Sequence, residues 1–240
     1  MSQGGVAIRT LFISILLLTI ALPVLGGAGS GSAIEDNWLA LAKQYVRADE
    51  KLLRLEQNKQ KGIPQQLDLR DDLRANLEHA PSPSIDQLTS LLRSLDPFDR
   101  KTALVVTFLR HITSLDLTKL VLNRYNDESD FFIRFYSHQV LMNLSDEQVR
   151  TVQADILRIS RNEKYETILV TSLPTLLRLE RDAVVPVLVG YFKKGSPGLK
   201  RATYATLRSS HDNYLEEIRS ILKRDKAKGA LAFIDRLDKL

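Results

Sequence analysis

Four short polar turns recur along this chain at an almost constant interval. They are Asp96–Pro97, Ser129–Asp130, Asn162–Glu163 and Ser196–Pro197, spaced 33, 33 and 34 residues apart. Each turn precedes a stretch of helical apolar periodicity and follows a shorter apolar segment, at about 84–94, 116–125, 146–160 and 183–194. A fifth, shorter pair of segments follows at about 213–223 and 228–238. A period in the thirties with two helices per unit predicts stacked helix pairs, because one pair cannot bury its own apolar face.

The best copy of the repeat runs from Asp182 to Ser210 and reads DAVVPVLVGYFKKGSPGLKRATYATLRSS. Its short first helix, Ser-Pro turn and second helix opening with basic residues and then alanine resemble a HEAT-like repeat. The 84–113 copy carries the same elements with an Asp-Pro turn, and the two middle copies are weaker. The resemblance covers residues 84–240. It implies an all-α fold, a right-handed alpha-solenoid of about five HEAT-like helix pairs, and a binding platform or scaffold.

Local signals predict where some of these helices begin and how they pack. Ser84 with Gln87, and Ser145 with Gln148, have the spacing of a capping box, in which the two side chains satisfy free backbone N–H groups. Two small residues, Ala103 and Ala202, occupy equivalent positions of the second helices. We expect both alanines to be buried at helix crossings.

Ahead of the repeats, residues 34–80 predict an N-terminal helical segment. A long helix over 34–61 carries an apolar stripe at alternating spacings of three and four, formed by Trp38, Leu41, Tyr45, Ala48, Leu52 and Leu55. Gly62–Pro64 should end it. A second helix over 65–79 carries Leu69, Leu73 and Leu77 on one predicted face.

The first 33 residues are different in composition. An uncharged apolar stretch, Leu11 to Leu25, follows Arg9 and precedes a segment of small residues, which is the pattern of an export signal. Residues 6–27 could instead form an uncleaved membrane anchor, since a span needs roughly 20 apolar residues. Both readings predict a protein exported from the cytoplasm, periplasmic or anchored facing the periplasm. The chain has no cysteine, which excludes disulfides, thiolate metal sites and a lipid-modified N-terminal cysteine.

Charge is concentrated at the C-terminal end. Residues 34–192 hold 21 basic and 23 acidic residues, whereas residues 193–240 hold 12 and 6. An exported protein rarely meets nucleic acid, so the basic end predicts an acidic protein partner or an anionic surface. The candidate partner-binding residues are Lys193, Lys194, Lys200, Arg201, Arg219, Lys223 and Lys226. The last three are expected to form one basic stripe on the final helix pair, although a solvated capping face would look the same.

The most aromatic predicted helix is DFFIRFYSHQVLMNL, from Asp130 to Leu144. Phe131 and Phe135 share one face of it and are further candidate partner-binding residues. A helix that is apolar all round is usually buried, so these rings could equally belong to the core.

The sequence contains no His-Glu-x-x-His motif, glycine-rich phosphate loop or nucleophile elbow. We therefore expect no catalytic, metal-binding or cofactor-binding residues, and no cofactor. The expected function is a non-catalytic, exported interaction scaffold or adaptor of the bacterial cell envelope. Two alternatives stay open: a membrane-anchored structural subunit of an envelope complex, and an envelope enzyme that uses acidic residues.

Overall fold

A computed structural model of the protein describes residues 37–58, 60–210 and 213–239, and every regular element in these ranges is helical. The predicted export segment, residues 1–33, lies outside the described residues. The helices are α1 Asn37–Gln57, α2 Ile63–His79, α3 Ile85–Arg93, α4 Pro97–Leu109, α5 Leu115–Arg124, α6 Phe131–Met142, α7 Asp146–Thr151, α8 Gln153–Asn162, α9 Glu166–Leu176, α10 Arg181–Lys194, α11 Pro197–Ser209, α12 Tyr214–Arg224 and α13 Lys228–Leu237. The prediction of an all-helical fold is confirmed within these ranges.

Local chemistry sets several helix starts as the sequence predicted. Both capping boxes form. The Ser84 and Ser145 hydroxyls accept the backbone N–H of Gln87 and Gln148, and each glutamine side chain accepts the backbone N–H of its serine. Each box satisfies two N–H groups that would otherwise lack partners in the first helical turn. The second helices α4, α6 and α11 are capped by the turn residues Asp96, Asp130 and Ser196.

Two predicted elements differ in detail. The single helix expected over 146–160 is interrupted at Val152, whose backbone angles (φ −109°, ψ 18°) separate α7 from α8. The helix expected to follow the turn at Asn162–Glu163 begins later, at Glu166. Glu163 is buried, and its carboxylate accepts the N–H groups of Lys164 and Tyr165, at 2.6 and 2.7 Å. The backbone stays extended at Glu163 and Tyr165 (ψ 135° and 112°), so α9 begins only at Glu166.

The helices pack in a regular order. Each second helix (α4, α6, α9, α11, α13) packs against its own first helix and against the second helices on either side. The first helices α3, α5, α8, α10 and α12 also contact one another in chain order. At the N-terminal end, α1 packs against α2 and α4. The fold is therefore built mainly from contacts between neighbours along the chain.

Arginine side chains tie neighbouring helix pairs together at a nearly constant distance in sequence. Each guanidinium donates to a backbone carbonyl 32–36 residues earlier, joining Arg110 to Leu77, Arg124 to Leu92, Arg158 to Leu122 and Arg178 to Met142. The last carbonyls of a helix lack intrahelical N–H partners, so these bonds engage acceptors near helix ends; the Leu77 carbonyl also accepts the Ala80 N–H at 3.3 Å.

The apolar residues behave largely as the periodicity predicted. Ala103 and Ala202 are both buried, as expected. The apolar stripe on α1 packs into a hydrophobic cluster that several helices share, with Trp38 from α1, Leu73 from α2 and Leu104 from α4. Leu69 departs from the prediction because it is about half exposed. The buried apolar face of α2 is formed by Leu73 and Leu77 instead.

Candidate partner-binding surface

A group of aromatic rings lies partly exposed near the start of α6. The Phe131 and Phe135 rings stack with centroids 6.0 Å apart, and Tyr165 meets the Phe131 ring edge-on at 5.1 Å. Both phenylalanines are half-buried, and Tyr165 is 40% exposed. We call Phe131, Phe135 and Tyr165 the aromatic group. Its rings leave apolar area accessible to a partner, which is a common feature of binding surfaces.

Tyr165 was not among the residues predicted from the sequence. It precedes α9 and comes 34 residues after Phe131, and Phe131 comes 33 residues after Phe98. This regular spacing is the sequence signal that could have identified Tyr165. Phe98 is half-buried in the first turn of α4 and lies under the Arg47 guanidinium, 5.1 Å from its ring centroid.

Two of the predicted basic residues are paired inside the fold. Lys193 forms an ion pair of 2.6 Å with Asp225, and Arg219 pairs with Asp235 at 3.0 Å and with Asp238. Their charges are therefore largely compensated within the protein. Neither is a free docking charge.

The remaining predicted basic residues, Lys194, Lys200, Arg201, Lys223 and Lys226, have no carboxylate partner within the described ranges. All are exposed except Lys200, which is half-buried. The predicted stripe is nevertheless not continuous: α12 ends at Arg224, and Lys226 sits in the left-handed region at φ 54°. Because the helix ends first, Lys226 does not continue the face of Lys223.

A further cationic arrangement links the last two second helices. The Phe233 ring on α13 has the Lys200 ammonium and the Arg236 guanidinium each 5.6 Å from its centroid. Cations near an aromatic face are attracted by its quadrupole. This contact positions Lys200 on the side of α11 that packs against α13.

A buried polar cluster joins α1 and α2 to the second helices. The Tyr136 hydroxyl donates to the Asp49 carboxylate at 2.5 Å, and the Arg70 guanidinium lies 3.7 Å from the same carboxylate. Beside them, the Lys101 ammonium contacts Glu50 at 2.7 Å and Asp130 at 2.8 Å. Burial raises the pKa of Asp49, although the Tyr136 hydrogen bond and Arg70 act in the opposite direction.

A second buried cluster surrounds Glu163. Its carboxylate accepts from the Tyr125 hydroxyl and forms an ion pair of 3.0 Å with Arg134. The His138 ring nitrogen Nε2 lies 3.0 Å from the Tyr125 oxygen. Burial alone would raise the pKa of Glu163, but its hydrogen bonds and Arg134 leave that pKa lowered. Burial lowers the pKa of His138 to about 4, so the ring is neutral at pH 7.

Both clusters have their charges matched by partners within the fold. The acidic loop Asn126–Asp130 is used in the same way: Glu128 pairs with Arg100 at 2.8 Å, and Asp130 caps α6. In the described ranges no group of three or more potential ligand side chains is placed to hold a metal ion.

An open groove of about 600 Å³ runs beside α3 and is lined by Asp86, Thr89, Ser90, Leu91, Arg93, Ser94 and Asp99.

Comparisons with protein-family models, with curated proteins and with solved structures find no match to this chain. Across the described residues, no helix has the length and apolar character that crossing a membrane requires.

Proposed function

We propose that this chain is a right-handed alpha-solenoid of about five HEAT-like helix pairs that acts as an exported interaction scaffold. The packing order supports the solenoid, since second helices contact second helices and first helices contact first helices along the chain. The arginine ties at separations of 32–36 residues support it further. In such a stack each unit contacts only its neighbours, which leaves an extended surface for partners.

The observation that carries the scaffold proposal is the partly exposed aromatic group. Phe131 and Phe135 retain accessible area although they belong to a helix that packs against α4, α5 and α9. Large aromatic side chains are enriched among the residues that dominate protein–protein binding. The unpaired basic residues of the C-terminal helices add a positive field that would attract an acidic partner.

Partner capture by crosslinking tests this proposal. Cells expressing the full chain are crosslinked mildly, the protein is purified, and the crosslinked peptides are mapped by mass spectrometry. A defined protein partner should crosslink near the aromatic group or the C-terminal basic residues, and the yield should fall in Phe135→Ser. The matched control is Leu69→Ser, which changes an apolar side chain that is 48% exposed on α2, a helix whose main contacts are with α1. Crosslinks that are absent, or equally abundant in both variants, would contradict the proposal.

The export part of the proposal rests on the apolar stretch Leu11–Leu25. Residues 1–40 fused to a reporter that is active only after export should give an active reporter. Changing Leu16 and Leu18 to Arg should abolish that activity, because two charges make insertion of the apolar segment unfavourable. The mature N-terminus of the exported chain would distinguish a cleaved signal from an anchor.

A further inference from the structure

The buried carboxylate of Glu163 joins three parts of the fold. Its oxygen Oε1 accepts the N–H groups of Lys164 and Tyr165, in the turn before α9. Its oxygen Oε2 accepts the hydroxyl of Tyr125, which follows α5, and the guanidinium of Arg134 on α6. The Glu163 side chain has no exposed surface. One carboxylate thus ties this turn to α5 and α6.

The turn that Glu163 engages carries part of the aromatic group. Tyr165, whose N–H bonds to Glu163 at 2.7 Å, places its ring edge-on to the Phe131 ring. The Phe131 ring in turn stacks on Phe135. A change in the contacts of Glu163 therefore acts within two residues of a partly exposed ring of the candidate surface.

His138 on α6 is the histidine of this buried cluster. Its Nε2 lies 3.0 Å from the Tyr125 oxygen, and the ring is almost completely buried. Tyr125 has one hydroxyl hydrogen, which it donates to Glu163, so its oxygen accepts from the Nε2–H of His138. Histidine is the side chain whose charge changes most readily near neutral pH.

A second proton on this ring adds a positive charge where the cluster already holds one. Arg134 lies four residues before His138, on the same face of α6. Its guanidinium is 4.4 Å from the centroid of the Tyr125 ring, and the His138 ring meets that same ring edge-on at 5.3 Å. Both cations would share one carboxylate, Glu163, in a site where a charge cannot be hydrated.

Other ionisable side chains lie on the elements around this cluster. They are Asp49, Arg70, Lys101, Glu128, Glu166 and Tyr191. The cations and carboxylates among them are engaged in ion pairs of 2.7–3.7 Å or, for Glu166, in hydrogen bonds to α11. Burial raises the pKa of Tyr191, so its hydroxyl stays neutral below pH 7. Burial also raises the pKa of Asp49, so acidification stabilises the fold at that position.

We infer that Tyr125, Arg134, His138 and Glu163 form a pH-sensitive switch, in which protonation of His138 opens the contacts of Glu163 and frees the turn that carries Tyr165. Opening lets water hydrate the imidazolium, which the closed cluster does not allow. The switch would change the aromatic group in mildly acidic surroundings. The inference rests on the proposed scaffold function, because the surface that it regulates is the one proposed to bind a partner.

The direction of the response follows from proton binding. Burial lowers the pKa of His138 to about 4 in the closed cluster, Arg134 lowers it further and Glu163 opposes both. Once the ring is hydrated, its pKa returns to about 6.5. The open state therefore binds more protons between these values, so acidification favours opening. Lowering the pH from 7 to 5 should raise the population of the open state about twentyfold.

Hydrogen exchange at the Lys164 and Tyr165 amides of the full-length protein tests the inference. Each rate is divided by that of an unfolded peptide of the same sequence at the same pH, so that the chemical pH dependence of exchange cancels. Protection of the two amides should fall about twentyfold between pH 7 and pH 5. At pH 5 they should remain at least about tenfold less protected than the amides of α10, because local opening leaves α10 folded.

Two histidine variants identify the group that is responsible. In His138→Gln, protection of the two amides should change less than about twofold over the same pH range, since glutamine does not titrate. The matched control is His79→Gln, which replaces an exposed histidine and should keep the twentyfold response. Circular dichroism confirms that both variants are folded. The comparison of the turn with α10 in the wild type needs no variant and decides the matter even where His138→Gln does not fold.

Three results would overturn the inference. They are protection of the two amides that does not fall with pH, an equal fall in His138→Gln, and protection equal to that of α10 at pH 5, which would mean that the protein unfolds as a whole. The exchange measurements involve no partner. A failed crosslinking experiment would therefore leave the switch standing, and a failed exchange experiment would leave the scaffold proposal standing.

Discussion

The hydroxyl of Tyr136 on α6 donates a 2.5 Å hydrogen bond to the carboxylate of Asp49 on α1, 87 residues earlier in the chain. Both side chains are buried, and Arg70 on α2 approaches the same carboxylate. This polar contact joins the N-terminal helices to α6, beside the ion pairs that Lys101 makes with Glu50 and Asp130. Unlike most contacts in the fold, it does not follow the repeat spacing.

Removing this hydroxyl should destabilise the protein. Tyr136→Phe leaves the Asp49 carboxylate buried without its hydrogen-bond donor, and the free energy of unfolding should fall by about 1–3 kcal/mol. Urea denaturation followed by circular dichroism measures the change. Tyr165→Phe removes an exposed hydroxyl and should change stability by less than about 0.5 kcal/mol. Equal effects of the two substitutions would show that the buried bond contributes nothing.

Stability should fall on acidification because of His138. Its pKa in the folded protein is about 4, below its ordinary 6.5, so the unfolded chain binds more protons between these pH values. The contribution of His138 to the free energy of unfolding is therefore fully present above about pH 6.5 and is lost as the pH falls towards 4. The total loss should be about 3 kcal/mol. Glu163, whose pKa is lowered, acts in the same direction at lower pH, whereas Asp49, whose pKa is raised, opposes both.

The variant His138→Gln isolates that contribution. Glutamine keeps a hydrogen-bond donor near Tyr125 but does not titrate, so the slope of unfolding free energy between pH 6.5 and 4 should become shallower. Substitution of the exposed His79 by Gln serves as the control and should reproduce the wild-type slope. An unchanged slope in His138→Gln would mean that other groups cause the acid sensitivity.

The packing of α11 can be tested with two alanines on the same helix. Ala202 is buried and Ala205 is exposed, so Ala202→Lys should cost several kcal/mol by burying an unpaired charge, while Ala205→Lys should cost less than about 0.5 kcal/mol. Ala103→Lys in α4 should behave like Ala202→Lys, since Ala103 is fully buried at the equivalent repeat position. Denaturant midpoints measure all three. A loss below about 0.5 kcal/mol for either buried alanine would contradict the repeat register.

Association with an acidic partner should depend on the unpaired C-terminal charges. Lys223→Glu with Lys226→Glu should slow association with the partner recovered by crosslinking by about three- to tenfold, and should change dissociation less. Raising the salt to 0.15 M should slow the wild type too, since exposed charges are then screened beyond about 8 Å. Stopped-flow or surface plasmon resonance measures the rates. An association rate that changes with neither salt nor charge reversal would show that these lysines only form a solvated face of the terminal helices.

Much of the secondary structure follows from the sequence because its signals are local. The capping boxes at Ser84 and Ser145 form between residues three positions apart, and the turns at Asp96 and Ser196 cap the helices that follow. Helical periodicity also identified the buried face of α1. Such hydrogen bonds and stripes need no information from distant parts of the chain.

The surface was less predictable because pairing depends on distance in space. The sequence predicted that Lys193 and Arg219 are free to bind a partner. In the structure they form ion pairs with Asp225 and Asp235, which lie on or next to neighbouring helices. Conversely, Tyr165 had no helical pattern to mark it, and only its ring contact with Phe131 makes it part of a surface.

The sequence by itself determined that the described part of the chain forms short helices separated by polar turns, where most of these helices begin, and that Ala103 and Ala202 are buried. Only the tertiary structure decided which charges remain unpaired, that Glu163 is buried against Tyr125 and Arg134, and that Asp49 meets Tyr136. The reason is physical: helix formation is decided by neighbours within a few residues, whereas burial and charge pairing depend on how each helix is rotated and placed against the others.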